Sequence, residues 1–491
     1  MKYVILGSGI AGMAAAEAIR EAEEKAEIRM ISEEKELCFN RPMLIGEFAL
    51  DGTGAELFEK QQDWPRQHGV QISLGVAAEA IDRNRKVVRL TDGSEESYDK
   101  LIYALGAEVT IPPIPGADRD NVYVVRTRED MRRIQEGMRK AKQAVVIGGG
   151  MLGLEDAWAM HQQKLEVSVI EQKQRVAFGQ IDQSAGNLMK KRIERMGVPV
   201  YVNAAVTEIG DGYVTFLQET SESSDPVNTA PNAAPDTGTA EACPGCCGCQ
   251  GQIACEAVTI PADLVILSTG VTPNSALGEA AGLMITGGRD TASAGSDTAP
   301  EGLDTASAGL SSGTTGPRWI AVDEHCRTSD PDIFAAGDAA AVNGRNDAIW
   351  DEAREMGRVA GTNAARSVQG VSAREEEPLE TYRPVIPEHV FTGFDTEVFT
   401  MADSSGAGTD GVYIRHADVE IFDYQRERYI RASLQDGRLA GILLINASEL
   451  APELMEAYRC GAGEEEVRQI IQRWKDSHEV DFKPAEPFRR R

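Results

Sequence analysis

The sequence predicts an α/β fold built on two strand–turn–helix–strand units, with a smaller α+β domain at the C-terminal end. Three observations predict it. The order of apolar run, glycine turn, Ala-rich helical stretch and second apolar run opens the chain. The same order recurs near residue 144. Beyond about residue 372 the pattern changes to alternating strands and a polar helix.

In the first unit, Tyr3-Val4-Ile5-Leu6 is a short apolar run of the kind that a buried parallel strand shows, and Gly7-Ser8-Gly9-Ile10-Ala11-Gly12 follows it directly. Ile28 to Ile31 reads as the next strand and ends at Glu33 and Glu34. In the second, Ala144 to Ile147 leads into Gly148-Gly149-Gly150-Met151-Leu152-Gly153, a helix, and Val167 to Ile170 ending at Glu171. A dinucleotide must place two phosphate charges. The first glycine of such a turn allows the tight bend, the second lets the backbone approach the pyrophosphate, and the third lets the helix pack on the strand with its N-terminal amides aimed at the anion. A carboxylate at the end of the second strand then accepts hydrogen bonds from ribose hydroxyls. A lone glycine turn says little, but two turns with their strands and acids predict two Rossmann-like sites. Glu171 would repel a 2′-phosphate, so NADH is expected over NADPH, although Lys173 and Arg175 nearby leave some room for the latter.

Composition bounds the rest. The chain has 491 residues, long enough for two or three domains each with a buried core. Its net charge of -28 repels nucleic acid and anionic membranes, and no apolar stretch reaches the roughly 18 residues of a membrane span. The eight cysteines are not spread like a secreted disulfide framework, because five of them fall between Cys243 and Cys255. A soluble, reducing, cytoplasmic setting is expected. Residues 218–257 and 286–317 are rich in Ser, Thr, Ala and Gly, the second repeating Asp-Thr-Ala-Ser-Ala-Gly at 290 and 304, and both read as surface insertions. Within the first, Cys243-Pro-Gly-Cys246-Cys247-Gly-Cys249 has spacing suited to zinc or an iron–sulfur centre, to a redox disulfide, or to nothing beyond a cysteine-rich loop. Tyr429–Leu434 and Leu439–Ile445 around Asp436-Gly437 read as a hairpin, followed by a helix near Glu464 to Lys475.

Taken in order, these motifs resemble the two-dinucleotide-domain flavoprotein reductases, and within them the rubredoxin reductase and nitrite reductase flavin-subunit branch. Phe39-Asn40-Arg41-Pro42 resembles the family's segment along FAD, and Leu101 to Ala107, with Gly106, its first hinge, although Leu105 stands where a Thr is usual. Ser268 to Asn274, with Gly270, resembles the second hinge, and Ile333 to Asp338 the segment in which Gly337 and Asp338 meet the ribityl chain.

The resemblance implies FAD on Gly7, Gly9, Ile10, Ala11, Gly12, Glu33, Glu34, Arg41, Pro42, Gly106, Gly270, Gly337 and Asp338. It implies NAD(P)H on Gly148, Gly150, Leu152, Gly153 and Glu171, with Glu155 beside both flavin and nicotinamide as the catalytic residue. The implied division is a split FAD domain at 1–110 and 271–371, a nucleotide domain at 111–270, and a C-terminal domain at 372–491 that forms a homodimer. The implied reaction is hydride transfer from NADH to FAD, then electron delivery to a small carrier such as rubredoxin; the alternatives are an NADH oxidase using oxygen and a flavin-bearing sensor without fast turnover. Relatives acting on disulfides keep flavin-adjacent thiols, whereas this chain has only Cys38 in the first region and Arg41 where a single redox cysteine would align. A Lys common in relatives is replaced near Gly46.

Overall fold

The computed structural model describes residues 1–48, 63–220, 254–287, 316–367, 378–402, 419–423 and 425–477. A five-stranded parallel sheet forms the first unit in the order Ile333–Ala335, Lys100–Tyr103, Lys2–Leu6, Glu27–Ser32 and Val70–Leu74. The edge strand Ile333–Ala335 arrives from beyond the second unit, so the nested α/β fold class expected from sequence is the one observed. A second five-stranded parallel sheet runs in the order Val200–Tyr201, Glu166–Ile170, Gln143–Ile147, Leu264–Leu267 and Val122–Val124. Both central strands are buried along nearly their whole length, which is why they read as unbroken apolar runs rather than as alternation.

The two units meet through a two-stranded antiparallel connection, Ala107–Val109 with Val271–Pro273. The Thr110 amide donates to the Gly270 carbonyl at 2.9 Å, and the Thr269 hydroxyl donates to the Thr110 carbonyl at 2.6 Å. In the first unit, helices Ile10–Ala22 and Trp350–Arg366 pack backbone to backbone. A Cβ on Gly357 would lie 2.1 Å from the Ala11 carbonyl oxygen, and one on Gly361 2.4 Å from that of Ala15. Only glycine permits that approach.

The C-terminal domain is an antiparallel five-stranded sheet with helices Ala451–Arg459 and Glu464–Ser477 on one face. Its expected hairpin forms with Asp436 and Gly437 both at positive φ, 51° and 75°, as a two-residue turn matching the strand twist requires. The opposite face, with Phe391, Val398, Tyr429 and Leu443, shares one core with the second unit. Asp182, which caps helix Gln183–Arg195, fastens that contact by accepting from Tyr429 and from Arg431.

Both low-complexity ranges are bounded by paired strand ends. Strands Gly212–Thr220 and Ala254–Ala262 pair up to Thr220 opposite Ala254, and Ile285–Gly287 pairs with Arg318–Val322 up to Gly287 opposite Arg318. The ladders therefore reach into ranges that composition assigned to the insertions at 218–257 and 286–317. A backbone ladder on a sheet edge needs few apolar side chains, so polar sequence does not betray it. Cys243, Cys246, Cys247 and Cys249 lie outside the described residues. No helix among the described residues is long and apolar enough to cross a membrane.

Candidate functional site: two glycine cradles

The two glycine turns are copies of one another. Gly7 and Gly148 sit at positive φ, 102° and 112°, and each amide donates to a carbonyl near the end of the neighbouring strand, that of Ile31 and that of Ile170, at 2.8 Å. A Cβ on Gly7 would meet the Ala104 carbonyl oxygen at 2.1 Å, and one on Gly148 the Ser268 carbonyl oxygen at 2.1 Å. Gly12 and Gly153 are held as tightly, since a Cβ on either would lie 2.1 Å from the carbonyl oxygen of the first glycine of its turn. By contrast, a Cβ on Gly9 or Gly150 would meet nothing within 4 Å. These middle glycines are the N-caps of helices Ile10–Ala22 and Met151–Gln162, and no side chain caps either helix. Open space therefore stands before two sets of helix N-terminal amides, the arrangement a bound diphosphate needs. The donor set and the cradle fit a dinucleotide in both places.

The strand registers separate the two units. Leu6 pairs with Ile31 and Ile147 with Ile170, so Ser32 occupies the step that Glu171 occupies in the second unit. Ser8 donates to Ser32 at 2.8 Å, both buried. Glu33 lies one position further and is exposed, while Glu34 forms an ion pair with Arg41. In the second unit, the Glu171 carboxylate accepts from the Gly149 amide at 2.6 Å and from the Lys173 amide at 2.7 Å. Arg175 is turned inward: it donates to the carbonyls of Ile181 and Phe178 at 2.9 and 3.0 Å, lies over the Phe178 ring and is 6% exposed.

Residues singled out on the first unit converge on an arginine that sequence reasoning missed. Arg41 donates to the Arg126 carbonyl at 2.7 Å, and the Arg126 guanidinium reaches Asp338 at 3.4 Å. Burial, and Arg41 beside it, pull Arg126 below the ordinary guanidinium value. Gly337, at φ 70°, brings Asp338 into place, since a Cβ there would meet that of Ala11 at 2.9 Å. Gly106, also at positive φ, stands 3.7 Å from Arg126 by the same measure. An Arg directly before a Thr capping box gave no sequence signal of facing inward.

Helix Met151–Gln162 carries the acids. Glu155 is half-buried, and burial pushes its carboxyl up to about 7. Asp156 is 2% exposed, its Oδ1 has no hydrogen-bond partner, and burial together with Glu155 holds its carboxyl well above the usual carboxylate range. Leu152 stays open to solvent at the helix start. Asp156 was also missed; the signal was an acid inside the apolar run Met151 to Met160. Cys38 is buried against the Phe39 carbonyl.

Comparison with known proteins identifies the family. The chain is 28% identical over 363 residues to the nitrite reductase (NADH) large subunit of Escherichia coli, covering 73% of this chain and 35% of that one. It is 24% identical over 456 residues to the NADH-rubredoxin oxidoreductase of Clostridium acetobutylicum, covering 93% and 94%. Among solved structures, a NAD-dependent persulfide reductase from A. fulgidus superposes with a TM-score of 0.71 at 24% identity, over 95% of this chain and 78% of that one. The chain thus spans about a third of the nitrite reductase subunit's length. The sequence profile of the pyridine nucleotide-disulphide oxidoreductases matches residues 1–300, and the chain belongs to that family.

Proposed function

We propose that the protein takes a hydride from NADH onto FAD and delivers the electrons to a separate acceptor, a small carrier protein of the rubredoxin kind. The observation that carries this reading is the pair of matching glycine cradles, each with open space before uncapped helix amides, with half-buried Glu155 on the helix that leaves the second.

FAD is assigned to the first cradle, with Gly7, Gly9, Ile10, Ala11, Gly12, Glu33, Glu34, Arg41, Pro42, Gly106, Gly270, Gly337 and Asp338, to which the contacts above add Arg126. NADH is assigned to the second, with Gly148, Gly150, Leu152, Gly153 and Glu171. Bound FAD would supply the acceptance of a hydride and the onward passage of its two electrons, the proton going to solvent. The chain's own residues orient and shield. The helix amides hold the diphosphates, Asp338 and Arg126 fix polar groups of the flavin side, and Glu171 selects a ribose with free hydroxyls. Glu155, drawn toward neutrality by burial, can hold or release a proton beside the reacting rings.

The domain division follows the same assignment: 1–110 and 271–371 for FAD, 111–270 for NADH, and 372–491 as a dimer-forming domain of a cytoplasmic protein. Buried Cys38 offers no accessible thiol, which favours a carrier over a disulfide as acceptor. Anaerobic reduction with NADH, followed by mixing with oxidised rubredoxin or with oxygen, tests the reading. Fast reoxidation by the carrier supports it. Reoxidation by oxygen at the full steady-state rate favours an NADH oxidase, and a flavin that NADH does not bleach would make the protein a sensor.

A further inference from the structure

The segment that follows the first unit's second strand packs on both units, with Cys38 in the core of its own unit and its apolar neighbours in the core of the other. Phe39 and Leu44, 3% and 2% exposed, belong to the core that contains Met131, Ile134, Leu154 and Met160 of the second unit. Above this apolar contact sits a charged one. The Glu36 carboxylate accepts from Arg128 at 2.7 Å with one oxygen and from Arg132 at 2.5 Å with the other, and both arginines lie on helix Arg128–Met138. Glu36 and Arg128 are largely withdrawn from water, their side chains 28% and 14% exposed. Burial pushes the Glu36 carboxyl up, yet the two arginines outweigh it and hold it below the ordinary range. That helix is anchored by a capping box in which Thr127 and Asp130 exchange hydrogen bonds, so the guanidiniums start from a fixed backbone. One residue before the box, Arg126 meets Asp338 and receives Arg41.

Residues 36–45 thus form a strap from the first unit locked onto the second, a contact additional to the thin two-stranded connection. Two bodies joined by such a connection can rock about it, and hydride transfer tolerates little error in the separation of the reacting rings. A carboxylate bridging two arginines across the gap opposes that rocking more than a single exposed pair would, because it is partly desolvated and both oxygens are engaged.

We propose that Glu36 is a positioning residue for hydride transfer: held by Arg128 and Arg132, it clamps the strap to the nucleotide unit and fixes the separation of the two cofactor sites. This rests on the NADH-to-flavin reading above. The clamp touches neither cofactor; it acts through the strap that carries Arg41.

The test uses the FAD-loaded protein with Glu36→Gln, which keeps shape and removes charge, and Glu36→Asp, which keeps charge on a shorter arm. In anaerobic stopped flow, Glu36→Gln is expected to lower the limiting rate of flavin reduction by about tenfold or more, as a small misplacement of reacting groups does. FAD content and the NADH concentration at half-saturation should change by less than about twofold, which separates positioning from binding. The long-wavelength charge-transfer band of reduced flavin stacked on oxidised nicotinamide should weaken in Glu36→Gln and be largely restored in Glu36→Asp. A parent-like rate and band in Glu36→Gln would overturn the proposal, as would a loss confined to FAD content or NADH affinity. If the parent flavin is not bleached by NADH at all, the activity reading fails, and the clamp is judged by hydrogen exchange instead. Amides of residues 37–44 and 127–131 should exchange about tenfold faster in Glu36→Gln, and unchanged exchange would overturn it.

Discussion

Glu171 accepts a hydrogen bond from the Gly149 amide at 2.6 Å, so the carboxylate at the end of the second unit's strand closes over the glycine turn itself. A 2′-phosphate brought to that place would meet a negative charge already fixed by two backbone amides, and Arg175, the nearby cation of most interest, is spent on the carbonyls of Ile181 and Phe178.

NADH should therefore reduce the flavin with a kcat/KM at least about tenfold above that of NADPH, and Glu171→Arg should narrow or invert the ratio. Steady-state kinetics with both nucleotides decides it. Equal efficiency in the parent would remove Glu171 from the specificity role.

Loss of the Asp338 carboxylate should weaken flavin retention. A hydrogen bond to a charged group contributes roughly 1.5–3 kcal/mol, so Asp338→Ala should raise the FAD dissociation constant about tenfold to a hundredfold. Glu21→Ala is the control, an exposed position on the helix that starts at the first cradle. Arg126→Ala should resemble Asp338→Ala, because the two side chains face one another. Equilibrium flavin fluorescence measures all three, and parent-like retention in both site variants would contradict the assignment of this cluster.

Asp156→Asn should stabilise the protein near pH 8 and be nearly neutral near pH 4. The folded state holds this carboxyl well above the usual range, mainly through burial. The unfolded chain ionises near its ordinary value of about 4, so parent stability declines as pH rises above that value. Asparagine cannot ionise and removes the decline. The gain at pH 8 should be about 1.4 kcal/mol for every tenfold by which folding favours the protonated carboxyl over the unfolded chain. Thermal melts at both pH values check this, and an equal effect at both would show that Asp156 is not held neutral.

Replacing residues 221–253 by a two-residue Asn-Gly turn should leave folding and NADH-dependent flavin reduction unchanged, because the ladder is already closed at Thr220 opposite Ala254. The deletion removes Cys243, Cys246, Cys247 and Cys249 while leaving Cys255 on its strand. Elemental analysis of the parent for zinc and iron accompanies it. Stoichiometric metal together with lost transfer to a protein acceptor in the deletion would make the cluster an electron exit.

Much of this was legible in the sequence because the physics was local. The glycine turns could be read residue by residue, since close backbone approach at Gly7, Gly12, Gly148 and Gly153 excludes any other side chain. The Asp436-Gly437 hairpin was legible for a similar reason. What stayed hidden depends on distant contacts. Arg126 and Asp338 are far apart in the chain, as are Glu36 and Arg132, and no spacing rule joins them. The first unit's acid was also blurred, because only strand register shows that Ser32, not Glu33, takes the place of Glu171.

The most direct test of the central claim is anaerobic mixing of the FAD-loaded protein with one equivalent of NADH, followed by flavin absorbance. The account predicts fast, stoichiometric bleaching, quicker on the acid side of an inflection near pH 7 where Glu155 is neutral, because an ionised neighbour opposes charge arriving on the flavin. Glu155→Gln should flatten that inflection. A protein that retains FAD and stays fully oxidised with NADH across this range would contradict the account.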